Sequence, residues 1–258
     1  MGTHRNPMFY ITLPPLDSRF KSAGYAMPPY YLDVGNLSLF QASLKGFANY
    51  FNTDLFCVIY PEADVDEQTI LHWTSEIGLP KSNCRTVPLP EPTPGQADMV
   101  RFGIEATSCE NDPREEAIIF TPDVIYRQFK KPVGGPSDYL DVTTVPESNR
   151  WYIEPDPERP NHVKRIIEDT NVSDLSCLGL YGFRSTEKFM EYYRTVYGAE
   201  HGQGYHRVAP IYQRMIDDGS PVLYRELPKT NVELVDTPER YESYSANHAL
   251  QPSNFAWR

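Results

Sequence analysis

The 258-residue sequence predicts an α/β fold with a mostly parallel central sheet and a smaller attached sheet. Apolar strand-like segments alternate three times with helix-like segments in the first half, which is the order of a parallel sheet with crossover helices. The second half has more strands and fewer helices between them, so the smaller sheet is expected there. The composition, with 40% hydrophobic and 23% charged residues, is that of a globular protein with a substantial core.

The first half of the chain contains four candidate strands and three candidate helices. The strands are apolar runs, and the helices carry apolar residues three or four positions apart. In chain order they are strand 9–13, helix 37–51, strand 55–60, helix 64–77, strand 84–89, helix 96–108 and strand 117–121. Ligands bind beyond the carboxyl ends of such strands, so the loops after Leu13 and Thr121 are the candidate places for chemistry.

The second half supplies the remaining elements. Its predicted strands are 138–145, 151–154, 163–168, 177–183, 222–227 and 232–235, and its helices are 186–197, 208–218 and one after Asp236. Thr237 suits the N-cap of that last helix, and Pro238 suits its first position. The strands of 138–183 and 222–235 are assigned to the smaller sheet. We interpret 1–7 as a flexible leader, 8–245 as one domain and 246–258 as a C-terminal tail.

Charge and cysteine usage exclude several classes of protein. The formal net charge is −11 and no basic run interrupts it, so a nucleic-acid partner is not expected. No stretch approaches 18 uncharged apolar residues, so no membrane span is expected. The four cysteines show no CxxC spacing and two lie in apolar runs, which favours reduced thiols in a cytoplasmic protein.

Four segments stand in an order and spacing that are typical of one enzyme family. They are Ser18-Arg19-Phe20 with Gly24-Tyr25, Gly95-Gln96-Ala97, 177–183, and 208–212 followed by 236–239. Through these segments, residues 8–244 resemble the sugar-phosphate nucleotidyltransferases, which join a nucleoside triphosphate to a sugar 1-phosphate and release pyrophosphate. The resemblance implies a Rossmann-like nucleotidyltransferase fold. It also implies a nucleoside triphosphate or nucleotide sugar and a phosphorylated small molecule as partners.

The resemblance assigns roles to eight residues. It makes Arg19 catalytic, and it implies contacts to the nucleotide from Ser18, Gln96 and Ala97 and to the sugar from Glu168 and Gly179. Asp123 and Asp236 fall where the family holds Mg²⁺. Two carboxylates with phosphate oxygens and water are what Mg²⁺ prefers. The alternative for these two aspartates is a turn role for the first and a helix-start role for the second.

The chain departs from the family pattern where phosphates are held. Pro14 and Pro15 replace residues whose N–H groups would wrap the phosphates, and proline has no N–H. Asp17 adds a negative charge to the same loop. Pro29 stands where the family has a phosphate-binding lysine, and Asp169 stands where the family has a second lysine. Losing one well-placed donor costs about a hundredfold to a thousandfold in rate, so these changes favour impaired catalysis.

Three functions are therefore open. The first is an active nucleotidyltransferase for polysaccharide or nucleotide-sugar synthesis, and the second is an impaired relative that acts by binding or as a scaffold subunit. The third is a nucleotide-sugar glycosyltransferase. The segment Asp64-Val65-Asp66 resembles the metal motif of those enzymes, although here it lies at the front of a predicted helix. The glycine-rich segment 201–206, which contains His206, is expected to be a mobile loop over the pocket. Base, sugar and homo-oligomeric state are left open.

Overall fold

The computed structural model describes residues 7–110, 112–145, 150–168, 173–198 and 205–249. They form helices packed on both faces of a mixed sheet whose centre is parallel. The predicted fold class, an α/β protein with a mostly parallel central sheet and a smaller attached sheet, is confirmed; the structure has two small antiparallel sheets besides the central one. No helix in this described part is long and apolar enough to cross a membrane.

The elements follow the predicted alternation. The strands are β1 (Met8–Thr12), β2 (Asp33–Val34), β3 (Leu37–Ser38), β4 (Leu55–Pro61), β5 (Cys84–Leu89), β6 (Ala117–Phe120), β7 (Val124–Tyr126), β8 (Tyr139–Thr144), β9 (Tyr152–Pro155), β10 (Val163–Ile167), β11 (Leu175–Phe183), β12 (Leu223–Glu226) and β13 (Val232–Leu234). The helices are α1 (Ser18–Ser22), α2 (Leu39–Lys45), α3 (Glu67–Glu76), α4 (Gln96–Ala106), α5 (Thr186–Tyr197), α6 (Ala209–Asp217) and α7 (Pro238–Ala249).

The central sheet has nine strands, of which β6, β1, β4 and β5 lie side by side and parallel. Strand β11 continues the sheet antiparallel to β6; β9 pairs with the first part of β11 on the same side as β6, and β8 pairs along the other side. Strands β12 and β10 complete the two branches. The parallel centre brings the carboxyl ends of β1 and β6 to one edge, where a ligand pocket is expected.

The period-two alternation of the central strands creates two separate cores. In β1, Met8 and Tyr10 face the cluster built with α4, α5 and α6, whereas Phe9 and Ile11 face the cluster built with α2 and α3. All four of these side chains are fully buried. The strand is therefore covered on both sides, which explains why its sequence is a continuous apolar run rather than an alternating one.

The small sheets differ in membership from the prediction. The strands of 138–183 and β12 extend the central sheet, whereas β13 pairs with β7, a strand that the sequence analysis missed. Predicted helix 37–51 is shorter, because α2 ends at Lys45 and a separate 3₁₀ turn covers Ala48–Tyr50. Helix α1 was also missed because a single five-residue turn is too short to show an amphipathic period.

The cysteines give a chemical test of the packing. None of the four is in a disulfide; Cys57, Cys84 and Cys177 are buried, whereas Cys109 is exposed. Burial raises the pKa of the Cys84 thiol to about 11, and it raises the pKa of Cys57 and Cys177 further. We expect a thiol reagent to modify Cys109 quickly in the native protein and the other three only on unfolding, as measured by mass spectrometry. Rapid native modification of Cys57 would contradict this packing.

Candidate functional site

A cavity of about 450 Å³ lies at the carboxyl ends of β1 and β6. Three carboxylates and two guanidinium groups line it, those of Asp17, Asp123, Asp236, Arg19 and Arg207. Most of the remaining wall is apolar or aromatic and is formed by Pro14, Pro15, Leu16, Phe20, Pro29, Tyr30, Met99, Trp151, Tyr181, Tyr205, Val208 and Val235. A concave and largely apolar pocket with a few polar groups is the usual form of a small-molecule site.

The floor of the pocket is a hydrogen-bonded group of three side chains from three elements. The Gln96 side chain at the start of α4 donates from Nε2 to the Thr121 hydroxyl at 2.8 Å and to the Thr12 hydroxyl at 3.4 Å. The two threonine hydroxyls lie 2.9 Å apart. Since each threonine stands at the end of a central strand, this group fixes the start of α4 against the sheet edge.

The loop after β1 is organised around the Asp17 carboxylate. Its Oδ1 accepts hydrogen bonds from the backbone N–H groups of Arg19 at 2.9 Å and Phe20 at 3.0 Å, so Asp17 is the N-cap of α1. Its Oδ2 accepts from the Arg19 guanidinium at 2.7 Å. A carboxylate of the chain itself therefore holds donors that could otherwise meet an anionic ligand.

Asp123 and Asp236 are joined through one arginine. The Arg150 guanidinium donates from Nη2 to Asp123 Oδ2 at 2.8 Å and from Nε to Asp236 Oδ2 at 2.9 Å. Its third donor, Nη1, reaches the Cys177 carbonyl of β11 at 3.3 Å. The Arg240 side chain donates to the other oxygen of Asp236 at 2.7 Å. The two aspartates of the predicted metal site are thus adjacent, and arginines contact both of them.

Burial and the arginines act in opposite directions on these carboxyl groups. Burial raises the pKa of Asp123 above its ordinary value, although the neighbouring Arg150 acts to lower it. Burial also acts to raise the pKa of Asp236, but Arg150 and Arg240 together outweigh burial and lower it. For Arg150, burial acts to lower the pKa, but the two carboxylates raise it above the ordinary value, so the guanidinium stays charged.

A buried pair behind the pocket holds α4 and the segment that leads into α6. The Asp98 carboxylate lies 2.6 Å from His206 Nδ1 and accepts a hydrogen bond from the Tyr193 hydroxyl at 2.7 Å. The His206 carbonyl accepts from the Ala97 N–H at 2.9 Å. His206 is 2% exposed, so this end of segment 201–206 is anchored, contrary to the expected mobile loop. Residues 199–204 lie outside the described residues.

Gly95 allows this close contact. A Cβ atom on Gly95 would stand 2.4 Å from the His206 carbonyl oxygen and 2.8 Å from its nitrogen. We expect Gly95→Ala to push the His206 backbone away from α4, to lower the free energy of unfolding by about 1–3 kcal/mol and to weaken ligand binding. Denaturant unfolding and a binding titration measure the two effects. An unchanged variant would show that the two segments do not pack as described.

The pocket brings together five of the eight residues assigned from the sequence, namely Arg19, Gln96, Asp123, Gly179 and Asp236. Ser18, Ala97 and Glu168 do not line it. Ser18 is exposed on α1, and Ala97 is buried with its N–H bonded to the His206 carbonyl. Glu168 is half exposed and forms an ion pair with Arg207, so its link to the pocket is indirect. Asp169 lies outside the described residues.

Gly179 lies beside the side chains of Arg150 and Asp123. A Cβ there would stand 3.6 Å from Arg150 Nη1 and 3.7 Å from Asp123 Oδ1. Its φ of +78° is in the left-handed region that favours glycine. The pairing of β11 with β8 is irregular between Cys177 and Tyr181, so the strand bends at this point. Gly179 therefore shapes the wall at the carboxylates.

Sequence reasoning missed Arg150, Arg207 and the threonine pair. The threonines carried a usable signal, because each ends an apolar strand, whereas Arg150 carried none, since its partners are 27 and 86 residues away.

The segment Asp64-Val65-Asp66, which resembles a glycosyltransferase metal motif, is the start of a helix in the structure. Asp66 is the N-cap of α3 and accepts a hydrogen bond from the Thr69 N–H at 2.7 Å. Among the described residues, no group of three His, Cys, Asp or Glu side chains could hold a metal ion.

Comparison with family models and with curated protein sequences finds no match. Solved structures do match. A nucleoside-diphosphate-sugar pyrophosphorylase from Vibrio cholerae RC9 is 26% identical, with a TM-score of 0.83, over 93% of this chain and 100% of that chain.

Two further solved structures share the fold at lower identity. One is from Bacillus anthracis, is described as a glucose-1-phosphate thymidylyltransferase in complex with sucrose, and is 11% identical with a TM-score of 0.72 over 97% of each chain. The other is a UTP-bound UGPase from Acinetobacter baumannii, 12% identical with a TM-score of 0.64 over 95% of this chain and 94% of that one. The fold is thus that of sugar nucleotidyltransferases. The Vibrio cholerae neighbour, at 26% identity, supports that general kind of function for this chain.

Proposed function

We propose that this pocket binds a nucleotide sugar and that the chain carries out nucleotidyl transfer slowly at best. The observation that supports this most directly is the position of Asp17. Its carboxylate accepts from the Arg19 and Phe20 N–H groups and from the Arg19 guanidinium. In a nucleotidyltransferase those donors would be needed for phosphate, and here an internal anion already holds them.

The charge of the lining disfavours a triphosphate. Arg150 and Arg240 already neutralise the Asp123 and Asp236 carboxylates. Each guanidinium group of the lining is itself paired with an acidic side chain, Arg19 with Asp17 and Arg207 with Glu168, so the lining offers phosphate no surplus positive charge. Pro14 and Pro15 offer no N–H groups in the same loop. A triphosphate carries more negative charge than a diphosphate that is esterified to a neutral sugar. The lining therefore suits the nucleotide sugar better than the triphosphate.

The aromatic part of the lining suits the rings of a nucleotide sugar. The Trp151, Tyr181 and Tyr205 side chains line the cavity, and Tyr205 is 62% exposed. The Arg207 guanidinium lies 5.4 Å from the Tyr205 ring centre and 5.9 Å from that of Trp151, which orders this wall. Aromatic faces can bind the base or the sugar of such a ligand without adding charge. The Gln96 side chain adds a polar group to the lining.

A pyrophosphate-release assay with the parent protein tests the catalytic part. Each of several nucleoside triphosphates is mixed with a panel of sugar 1-phosphates in the presence of Mg²⁺. We expect turnover at least a hundredfold below the typical enzyme value of about 10 s⁻¹. Turnover near that value would contradict impairment and would favour an active nucleotidyltransferase. An active nucleotidyltransferase is therefore the second candidate function, and it is supported by the 26% identity to the Vibrio cholerae pyrophosphorylase, all of whose chain is covered.

Tyr205→Ala tests the binding part. Stacking of a base on an aromatic ring contributes about 1–3 kcal/mol, so we expect this variant to bind a nucleotide sugar about tenfold more weakly. Calorimetry measures the affinity. Val133→Ala is the control, because Val133 is fully exposed and does not line the cavity. Equal affinity in parent and Tyr205→Ala would remove the aromatic wall from the proposed site.

A further inference from the structure

In the cluster of Arg150, Asp123, Asp236 and Arg240, two arginines balance the charge of two carboxylates, as a divalent cation would in a metal site. Its two carboxylates are matched by two guanidinium groups, which together carry the charge of one divalent cation. The side chains of Arg150 and Asp236 are 10% and 6% exposed, so these two charges are only weakly screened by water, whereas the Asp123 side chain, which lines the cavity, is 34% exposed. The carboxylates therefore need a cation, and the chain supplies it.

The positions of the donors leave little room for a shared Mg²⁺. Mg²⁺ requires near-octahedral oxygen ligands at about 2.0–2.1 Å. Both oxygens of Asp236 already accept from guanidinium groups, and Asp123 Oδ2 accepts from Arg150. Asp123 Oδ1 is buried and has no hydrogen-bond partner among the described residues, so it is the remaining ligand atom. One carboxylate oxygen beside two arginines does not fit a divalent cation.

The guanidinium group also reproduces the structural role of an ion. Its three nitrogens donate to three different segments: Asp123 after β6, the Cys177 carbonyl in β11 and Asp236 before α7. A planar group with donors in fixed directions can join three segments in this way, whereas an ammonium group is a single point charge. Arg150 does not itself line the cavity, although both carboxylates do. It therefore neutralises and holds the carboxylates from behind.

We propose that the Arg150 guanidinium takes the place of a divalent cation between Asp123 and Asp236, so that its removal converts these residues into a divalent metal site. Removing one partner of a buried pair leaves an uncompensated charge. In Arg150→Ala two adjacent carboxylates lose their shared cation, and the space of the deleted side chain is open to an ion and water. Ligand binding in the parent protein is then independent of divalent metal.

Electron paramagnetic resonance with Mn²⁺ alone tests this proposal. We expect no stoichiometric Mn²⁺ binding by the parent protein. We expect one Mn²⁺ per chain in Arg150→Ala, with affinity at least tenfold higher than in the parent, and a higher melting temperature of the variant when Mn²⁺ is added. Adding Asp236→Asn to Arg150→Ala should remove the gain. No nucleotide enters this measurement, so its failure is distinguishable from a failure of the proposed function.

Two further variants act as controls. Arg150→Lys keeps one positive charge and should not gain Mn²⁺ binding. Arg225→Met removes an arginine from a single buried carboxylate, Asp141, and should also bind no Mn²⁺. The proposal would be overturned if the parent protein bound one Mn²⁺ per chain and Asp123→Asn abolished that binding. This measurement does not depend on whether an arginine variant folds. A folded Arg150→Ala that binds Mn²⁺ no better than the parent would also overturn it.

Discussion

Asp17→Asn is expected to bind UTP about tenfold more tightly than the parent protein, which corresponds to about 1.4 kcal/mol. The substitution removes a negative charge from the pocket. It also releases the Arg19 guanidinium, which in the parent protein pairs with Asp17 at 2.7 Å. Asparagine is as good an N-cap as aspartate, so α1 keeps its cap and the fold is unaffected. Because Asp17 is partly exposed, salt screens its charge and the gain should shrink at high ionic strength.

The chain offers a matched control for this prediction. Asp112 repeats the local arrangement: it accepts from the Arg114 N–H at 3.0 Å and from the Arg114 guanidinium at 2.8 Å, but it does not line the pocket. Asp112→Asn should therefore leave the affinity for UTP unchanged. Equal effects of the two substitutions would indicate general electrostatics, and an unchanged affinity in Asp17→Asn would show that Asp17 does not oppose phosphate.

Arg225→Met should lower the free energy of unfolding by about 3–5 kcal/mol at neutral pH. Arg225 in β12 lies beside Asp141 in β8 and donates two hydrogen bonds to its carboxylate, both at 2.7 Å. The Asp141 side chain has no exposed surface, so the variant leaves a buried carboxylate without its cation. Methionine keeps most of the apolar stem, so the loss is mainly electrostatic.

The pH dependence of this loss has a definite sign. Burial raises the pKa of Asp141 above its ordinary value even with Arg225 beside it, and removing Arg225 should raise it further. A carboxyl whose pKa is raised in the folded state favours folding when protonated, so stability is gained as the pH falls. The deficit of Arg225→Met should therefore be smaller at about pH 5 than at about pH 7, as measured by urea unfolding.

A double variant isolates the titrating group. Combining Asp141→Asn with Arg225→Met removes the buried charge, so its stability should not show the additional pH dependence of the single variant. If Arg225→Met lost less than about 1 kcal/mol, the range of exposed pairs, Asp141 would not be buried as described.

The fold was predictable because its signal is local. Strands β1, β4 and β6 are nearly continuous apolar runs. Helix α4 starts at Gln96 and α5 covers Thr186–Tyr197, as their apolar spacing predicts. The exceptions are elements that depend on distant partners. Strand β7 is three residues long and exists because β13, about a hundred residues later, pairs with it. No periodicity within three residues predicts such a strand.

The site was predictable only in part. The resemblance placed Asp123 and Asp236 together, although it gave no sign of the arginine that joins them. Asp17 was recognised as an added negative charge, but its role as N-cap depends on the turn that follows, which has no period of its own. Pairing partners are a property of the folded chain, so residue type alone did not show which charges are already satisfied.

The central claim is that Asp17 and Arg150 provide the charges otherwise supplied by phosphate and metal. Calorimetry of the parent protein in EDTA tests it most directly. UTP and UDP-glucose are titrated separately into the protein and their affinities compared, and dTTP and dTDP-glucose likewise, so that each pair shares a base. We expect one nucleotide sugar to bind without metal and at least tenfold more tightly than the triphosphate of the same base. Tighter binding of the triphosphate, or binding of either ligand that appears only when Mg²⁺ is added, would contradict it.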